Sequence, residues 1–235
     1  MTALAEGAGL EAALWKLYRK YYDSAEETRR WSLSDDIPWK EARLIDDADF
    51  VEMIESLLVV KLKVVDISAK VIPRVRGSFG RTWFYATWGY EELRHNLVLS
   101  DWLLASKHHT QERLMALEDA AIAQEWQLPC EDLPGLLAHA LVQEAAAGER
   151  THKLLGIGKD IGADAAILRI LDYVQADDHA HFDFFRHCMD LQMKFHPESV
   201  HEQIQQTLAS ICASRADGNA RRQRATGDSI PARDT

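Results

Sequence analysis

Apolar residues recur every three or four positions along most of the chain, which is the spacing of one face of an amphipathic α-helix. The pattern predicts helices over residues 10–31, 47–65, 80–104, 110–126, 133–155 and 163–195, with a further one over 200–213. Nowhere do apolar and polar residues alternate between hairpin turns, as they would in β-strands. We therefore predict an all-α fold in which the very apolar helix 80–104 is buried on nearly every side.

The composition favours one packed domain. The chain has 235 residues, 47% of them hydrophobic and 27% charged, with only 12 Gly and 6 Pro to make turns. These values predict a single helical domain over 1–213 and argue against sandwiches and propellers. The last stretch, 214–235, carries five Arg and almost no large apolar side chain, so we expect a disordered tail there.

Charge and cysteine content exclude several classes of protein. A net charge of −10 argues against a nucleic-acid partner, which usually meets a basic surface. The three cysteines, Cys130, Cys188 and Cys212, are widely spaced and odd in number, as expected of free thiols in a reducing cytoplasm. No apolar run approaches the roughly 18 residues of a membrane span. We expect a cytoplasmic protein without a membrane-spanning segment.

Acidic residues and histidines recur at a spacing that suits metal binding. A carboxylate and a histidine three residues apart lie on one helix face and can bind one ion together. The sequence contains four such pairs: Glu92/His95, Glu149/His152, Asp178/His181 and Glu198/His201. The last follows Pro197 in a polar segment, which is typical of a solvated helix start, and Glu149/His152 is expected to be a solvated pair near a helix end.

A carboxylate-bridged di-iron bundle needs a Glu from each of two helices and an acid-x-x-His pair from each of two others. The chain presents these groups in order: Glu55, then Glu92 with His95, then Glu144, then Asp178 with His181. Each lies in an apolar stretch, where an unpaired carboxylate would cost several kcal/mol, so a cation is a reasonable partner. The alternative is that these acids pair with Arg94, Lys or Tyr side chains.

The first ligand position has two candidates. Glu55 lies on a helical stripe with Val51 and Leu58, which predicts that it points inward. Glu52, three residues earlier, remains the alternative. Trp88 precedes Glu92 by one helical turn and is the best candidate for an electron relay, although a tryptophan at this spacing is also typical of an ordinary core residue.

Four segments resemble those of the soluble acyl-carrier-protein desaturases. The run from Trp88 to His95, WGYEELRH, resembles their W-x-x-E-E-x-R-H signature, and VQE at 142–144 resembles their Phe-Gln-Glu. ADDHAH at 176–181 resembles Ala-Asp-Glu-x-x-His, and ESLL at 55–58 resembles Glu-x-x-Leu-Pro. The similarity covers about residues 45 to 190 and includes the spacing between the four segments.

The resemblance implies a ferritin-like helical bundle with a di-iron centre in its core and flanking helices. The implied ligands of the two iron ions are Glu55, Glu92, His95, Glu144, Asp178 and His181. The implied reaction is oxygen-dependent desaturation of a long acyl chain carried by acyl carrier protein or coenzyme A, with electrons from a ferredoxin-like donor. A homodimer is also implied. An acidic carrier would be attracted by a basic cluster formed by Lys61, Lys63, Lys70, Arg74 and Arg76, which is otherwise a solvated helix end.

The chain departs from the desaturase pattern at four positions. Asn96 replaces a Gly, Val59 a Pro, Asp178 a Glu, and Phe182 a Glu. The shorter carboxylate of Asp178 changes the reach of a predicted ligand. Three other functions therefore stay open: a di-iron hydroxylase or N-oxygenase on the same scaffold, a ferritin-like iron-storage or peroxide-scavenging protein, and a metal-free helical interaction protein.

Overall fold

A computed structural model describes residues 3–197, 201–202 and 204–209 of the chain. Over these residues the regular structure is helical and contains no strand, which confirms the prediction of an all-α fold. The helices are α1 (Ala3–Thr28), α2 (Ala48–Lys61), α3 (Val64–Val75), α4 (Phe79–Ala105), α5 (Gln111–Ile122), α6 (Leu133–Asp160) and α7 (Ala165–Phe195), with a short 3₁₀ turn at Trp39–Glu41. Residues 201–202 and 204–209, which lie within the further helix predicted over 200–213, are helical as well. The predicted tail over 214–235 lies outside the described residues.

Side-chain caps explain where several helices begin. Asp47, Thr110, Asp132 and Asp164 stand immediately before α2, α5, α6 and α7, and each accepts a hydrogen bond from a backbone N–H in the first turn. These bonds satisfy donors that have no partner within the helix. Four helix starts are thus encoded locally by a single polar residue, within two residues of the starts that the apolar spacing predicts.

Several predicted helix ends differ from the structure. The helix predicted over 47–65 is two helices, because the chain bends at Leu62 and Lys63 and α3 then begins at Val64. We expected a break near Pro73 and Gly77 before the next helix; α3 continues through Pro73 to Val75, and the break lies around Gly77, before α4 begins at Phe79. We expected glycines at 156, 158 and 162 to close α6; the helix runs past the first two and ends at Asp160, just before Gly162, whose φ of 67° few other residues adopt.

Two hydrophobic clusters lie at opposite ends of the bundle. One joins α2 to the second half of α4 and the first half of α7, around side chains such as Ile54, Trp102 and Ile170. The other joins α1 to the first half of α4 and the second half of α7, around Phe84 and Phe185. The middle turns of α4 and α7 between these clusters carry buried polar residues, so the fold encloses a polar layer between two apolar ends.

Helix α4 is not buried on every side, contrary to our prediction. Phe79 is 73% exposed, Trp83 53% and Leu97 46%. Tyr90 and Leu93 are exposed as well, and all five lie on one stripe of the helix. The apolar sequence of α4 therefore serves both the core and an outward-facing surface. Among the described helices, none is both long enough and apolar enough to cross a membrane.

Helices α1 and α4 cross at Gly80, which gives a test of the packing. A Cβ at Gly80 would lie 2.4 Å from the Leu14 carbonyl oxygen, whereas a Cβ at Gly156 would meet nothing within 4 Å. We expect Gly80→Ala to lower the free energy of unfolding by about 1–3 kcal/mol, because α1 must move. Gly156→Ala should raise it by about 0.5–1 kcal/mol, because alanine favours the helix. Urea denaturation measures both, and an unchanged Gly80→Ala protein would contradict the crossing.

Candidate metal centre

Four buried side chains converge in the polar layer between the two apolar clusters. Glu92 of α4, Glu144 of α6, and Asp178 and His181 of α7 each offer a ligand atom, and these atoms lie within 4.8 Å of one another. The three helices hold the group from three sides. Four of the six ligands predicted from the sequence are thus brought together in a geometry that could hold a metal ion.

His95, the fifth predicted ligand, lies beside this group. Its Nδ1 is 3.3 Å from Glu92 Oε1, and its Nε2 is 3.0 Å from Asp177 Oδ2. His181 has a similar arrangement, because its Nε2 lies 2.8 Å from Glu91 Oε2. Each imidazole is therefore held at Nε2 by an outer carboxylate, which leaves Nδ1 directed toward the inner carboxylates.

The sixth predicted ligand, Glu55, does not join the group. Its carboxylate lies 2.8 Å from His109 Nε2 and 3.4 Å from Arg113, and its side chain is 19% exposed. Glu52, the alternative, is exposed. The inward face of α2 follows the stripe through Ile54 and its neighbours rather than the stripe of Glu55. One residue is a rotation of about 100° on a helix, which is enough to turn Glu55 away from the core.

Lys61 is the residue of α2 that reaches the centre. Its Nζ donates hydrogen bonds to Glu92 Oε1 at 2.8 Å and to Asp178 Oδ1 at 2.9 Å, and its side chain is only 3% exposed. Burial by itself would lower the pKa of Lys61, but the carboxylates of Asp178 and Glu92 outweigh it and raise the pKa above its usual value. An ammonium ion is therefore a fixed part of the group. Lys61, the first residue of the basic cluster predicted from the sequence, is therefore buried in the core.

An outer ring of charge surrounds the imidazoles. Glu91 accepts hydrogen bonds from Tyr21 and Arg30, and Asp177 accepts them from Arg29 and Trp31. Burial alone would raise the pKa of Glu91, but the hydrogen bond and charge of His181, with the nearby arginine, lower it to about 2. The two outer acids are thus paired with the two arginines that directly follow α1, Arg29 and Arg30.

The donor atoms fit one metal ion. Glu144 Oε2 and His181 Nδ1 are buried, have no hydrogen-bond partner and lie 3.7 Å apart. Ligand bonds of about 2.0–2.2 Å would bring both atoms to the same ion. Trp88 Nε1 donates to the other Glu144 oxygen at 3.0 Å, and Thr151 donates to Asp178 Oδ2 at 2.8 Å, so both carboxylates are oriented. Carboxylate oxygen and imidazole nitrogen suit iron or manganese.

The sequence reasoning missed the residues that support the group. Glu91 and Asp177 directly precede predicted ligands, so their positions in the chain were a signal. Lys61 continues the buried stripe of α2 through Ile54 and Leu57, and that spacing was visible in the sequence. The pairing of Arg29 with Asp177, which are far apart in the chain, had no sequence signal.

A largely apolar cavity of about 310 Å³ adjoins the group. Glu92, Glu144 and Trp88 form part of its wall, and the remaining lining comes mainly from α3, α4 and α6. The apolar lining residues include Val64, Ile67, Val71, Tyr85, Leu136, Ala140, Ala147 and Phe185. The polar lining consists of Lys63, His139, Gln143 and Arg150 besides the two carboxylates. Buried carboxylates thus border a space whose wall is mainly apolar.

Comparison with known proteins shows the class of fold. No family model matches the sequence, and no curated protein matches it. Among solved structures, the chain is similar to a point mutant of an R2-like ligand-binding oxidase with an anaerobically reconstituted Mn/Fe cofactor. The TM-score is 0.53 at 15% identity, and the match covers 85% of this chain and 86% of the other. The fold is therefore a ferritin-like helical fold, as the sequence predicted.

The lowered pKa of Glu91 predicts how stability falls in acid. The ionised group stabilises the folded state above its ordinary pKa, and this contribution is lost as pH falls from about 4.5 toward 2. We expect metal-free wild-type protein to lose about 2 kcal/mol from this group between pH 7 and pH 3. Urea titrations should show a smaller loss over that range in Glu91→Gln, and an equal loss in both proteins would contradict the assignment.

Proposed function

We propose that the protein is an oxygen-dependent metal oxidase that acts on a long alkyl chain. One observation carries the proposal: Glu92 and Glu144, which belong to the group able to hold a metal, also form part of the wall of the apolar cavity. A hydrocarbon chain in this cavity would lie beside the bound ion. Apolar walls bind such a chain by excluding water, while the carboxylates hold the ion next to it.

The proposed substrate is an acyl chain carried as a thioester, and the proposed reaction is desaturation. The support is the resemblance of the ligand segments to those of the acyl-carrier-protein desaturases, together with the apolar cavity. In the balanced reaction, two C–H bonds of the chain break and a C=C bond forms. Two electrons and two protons from a ferredoxin-like donor and solvent complete the reduction of O₂ to two waters.

The proposed cofactor is iron, and manganese is a second candidate because the similar oxidase carries a Mn/Fe cofactor. When bound, the metal would supply oxygen activation. The protein supplies the fixed positions of the ligands. Trp88 leaves one Glu144 oxygen free by holding the other, and Glu91 holds the His181 ring so that Nδ1 points inward. Tyr85 and Phe185 in the cavity wall keep water from the reacting carbons.

Mass spectrometry of acyl thioesters tests the reaction. Given oxygen, iron and reduced ferredoxin, wild-type protein should yield a product lighter by two hydrogens. A product heavier by one oxygen would instead identify a hydroxylase, and bulk Fe(II) oxidation with unmodified thioesters would identify a storage protein. Glu144→Gln should lose at least about 100-fold in rate, because it removes a charged ligand beside the cavity. Glu149→Gln, an exposed change on the same helix, should retain the activity.

Filling the cavity separates substrate binding from metal binding. Ala140 lines the cavity, whereas Ala145 on the same helix is exposed and lies outside it. We expect Ala140→Phe to reduce turnover of long acyl chains by on the order of tenfold or more with unchanged metal content, because the ring occupies the space of the chain. Ala145→Phe should behave as wild type. Equal turnover by both variants would show that the substrate binds elsewhere.

We also propose that the protein is a homodimer built on α4. The exposed residues at 79, 83, 86, 90, 93 and 97 are separated by alternating steps of four and three. This is the spacing at which two helices pack side by side, and five of the six side chains are large and apolar. A second copy of the same stripe is complementary to it through a twofold axis.

Light scattering of single variants tests the dimer. Leu93→Glu places a charge at the centre of the stripe and should shift the protein to monomer, because two such charges would be buried at the axis. Met115→Glu is the matched control, since Met115 is similarly exposed on α5 but lies off the stripe. A wild-type monomer, or a Leu93→Glu dimer, would refute the interface.

A further inference from the structure

Lys61 holds the oxygen atoms that a second ion in the centre would require. An ion on the His95 side of the group would need the carboxylate nearest to His95, and Glu92 Oε1 lies 3.3 Å from His95 Nδ1. On that side, Glu92 Oε1 and Asp178 Oδ1 already accept hydrogen bonds from Lys61 Nζ, at 2.8 and 2.9 Å. These are direct contacts with a buried cation, and the Lys61 side chain comes from α2, the helix on which the first ligand was predicted.

The charges of the inner group balance with one divalent ion. A di-iron site of the bundle type has four carboxylates, whose negative charge offsets two divalent ions. Here the inner group has three carboxylates, Glu92, Glu144 and Asp178, and one ammonium, Lys61. With neutral imidazoles the net charge is minus two, which one divalent ion cancels. A second ion would leave two positive charges buried, at a cost of several kcal/mol.

The unpartnered atoms on the other side of the group mark where that one ion would bind. Glu144 Oε2, His181 Nδ1 and His95 Nδ1 are all buried without a hydrogen-bond partner. Of these three atoms, those of Glu144 and His181 belong to the group whose ligand atoms lie within 4.8 Å of one another, whereas His95 is not in that group and its Nδ1 faces Glu92 Oε1 at 3.3 Å. His181 Nδ1 is also 3.5 Å from Glu92 Oε1, the oxygen that accepts a hydrogen bond from Lys61, so the ion would share this oxygen with the ammonium. Buried acceptors are rarely left without a partner, and a cation is the natural one for carboxylate and imidazole together.

We infer that the centre takes one divalent transition-metal ion, bound by Glu92, Glu144, Asp178 and His181, and that the Lys61 ammonium occupies the place of the second. This inference rests on the proposed metal-dependent function and narrows it. It replaces the two iron ions expected from the sequence with one ion beside a fixed, redox-inert cation. His95 then serves to position Glu92 and is not a ligand.

Metal content per chain tests the inference. Purified full-length protein is loaded anaerobically with Fe(II), and separately with Mn(II), desalted, and analysed by elemental mass spectrometry. We expect one ion per chain in wild type. Lys61→Glu restores the fourth carboxylate and should take up two. Lys153→Glu changes the charge by the same amount at an exposed position of α6 and should keep one.

The outcomes separate this inference from the proposed function. Two ions in wild type would overturn the inference and leave a metal oxidase in place, whereas no ion in wild type would overturn both. One ion in both wild type and Lys61→Glu would overturn the role of Lys61. If Lys61→Glu does not fold, electron paramagnetic resonance of Mn(II)-loaded wild type decides: the hyperfine pattern of an isolated ion supports one site, and an exchange-coupled spectrum overturns it.

Discussion

One buried ammonium lies between two carboxylates of different helices, and the arrangement of the core depends on it. Lys61 of α2 donates hydrogen bonds to Glu92 of α4 and Asp178 of α7, and all three side chains are buried. Without this cation, Glu92, Glu144 and Asp178 would place three like charges within a few ångströms of one another. Such a group is stable only with opposite charge inside it, from the lysine, a metal ion, or both.

Around this contact, acidic and basic side chains alternate from the centre of the site outward. The imidazoles of His95 and His181 lie next to the inner carboxylates, the outer acids Glu91 and Asp177 hold the imidazoles, and arginines after α1 hold the outer acids. Each carboxylate thereby has a defined orientation. Tyr21 of α1 also donates a hydrogen bond to Glu91, and the two arginines directly follow the last turn of α1. Helix α1 therefore forms part of the site although it contributes no predicted ligand.

The sequence predicted those features that arise within a single helix. Acid-x-x-His pairs have a fixed geometry because both residues lie on one turn, and the structure brings Glu92, Asp178 and His181 together. The inward face of α2 was harder to predict. Apolar residues support two stripes, one through Val51 and Glu55 and one through Ile54 and Lys61, which are rotated by about 100° from each other. Packing against α4 and α7 selects the stripe ending at Lys61, and no local rule encodes that choice. The ion pairs made by Arg29 and Lys61 join distant segments and had no sequence signal.

Two differences from the ligand arrangement that the resemblance implied meet in one contact. Asp178 stands where the desaturase pattern has a Glu, and Lys61, rather than a Glu, is the residue of α2 that reaches the centre. The lysine side chain is long, and the aspartate is one methylene shorter than a glutamate, so together they place Nζ and Oδ1 at a hydrogen-bonded 2.9 Å. A glutamate at 178 would extend further into the space that Lys61 Nζ occupies. The length of each of these two side chains therefore sets the room that is left for the other.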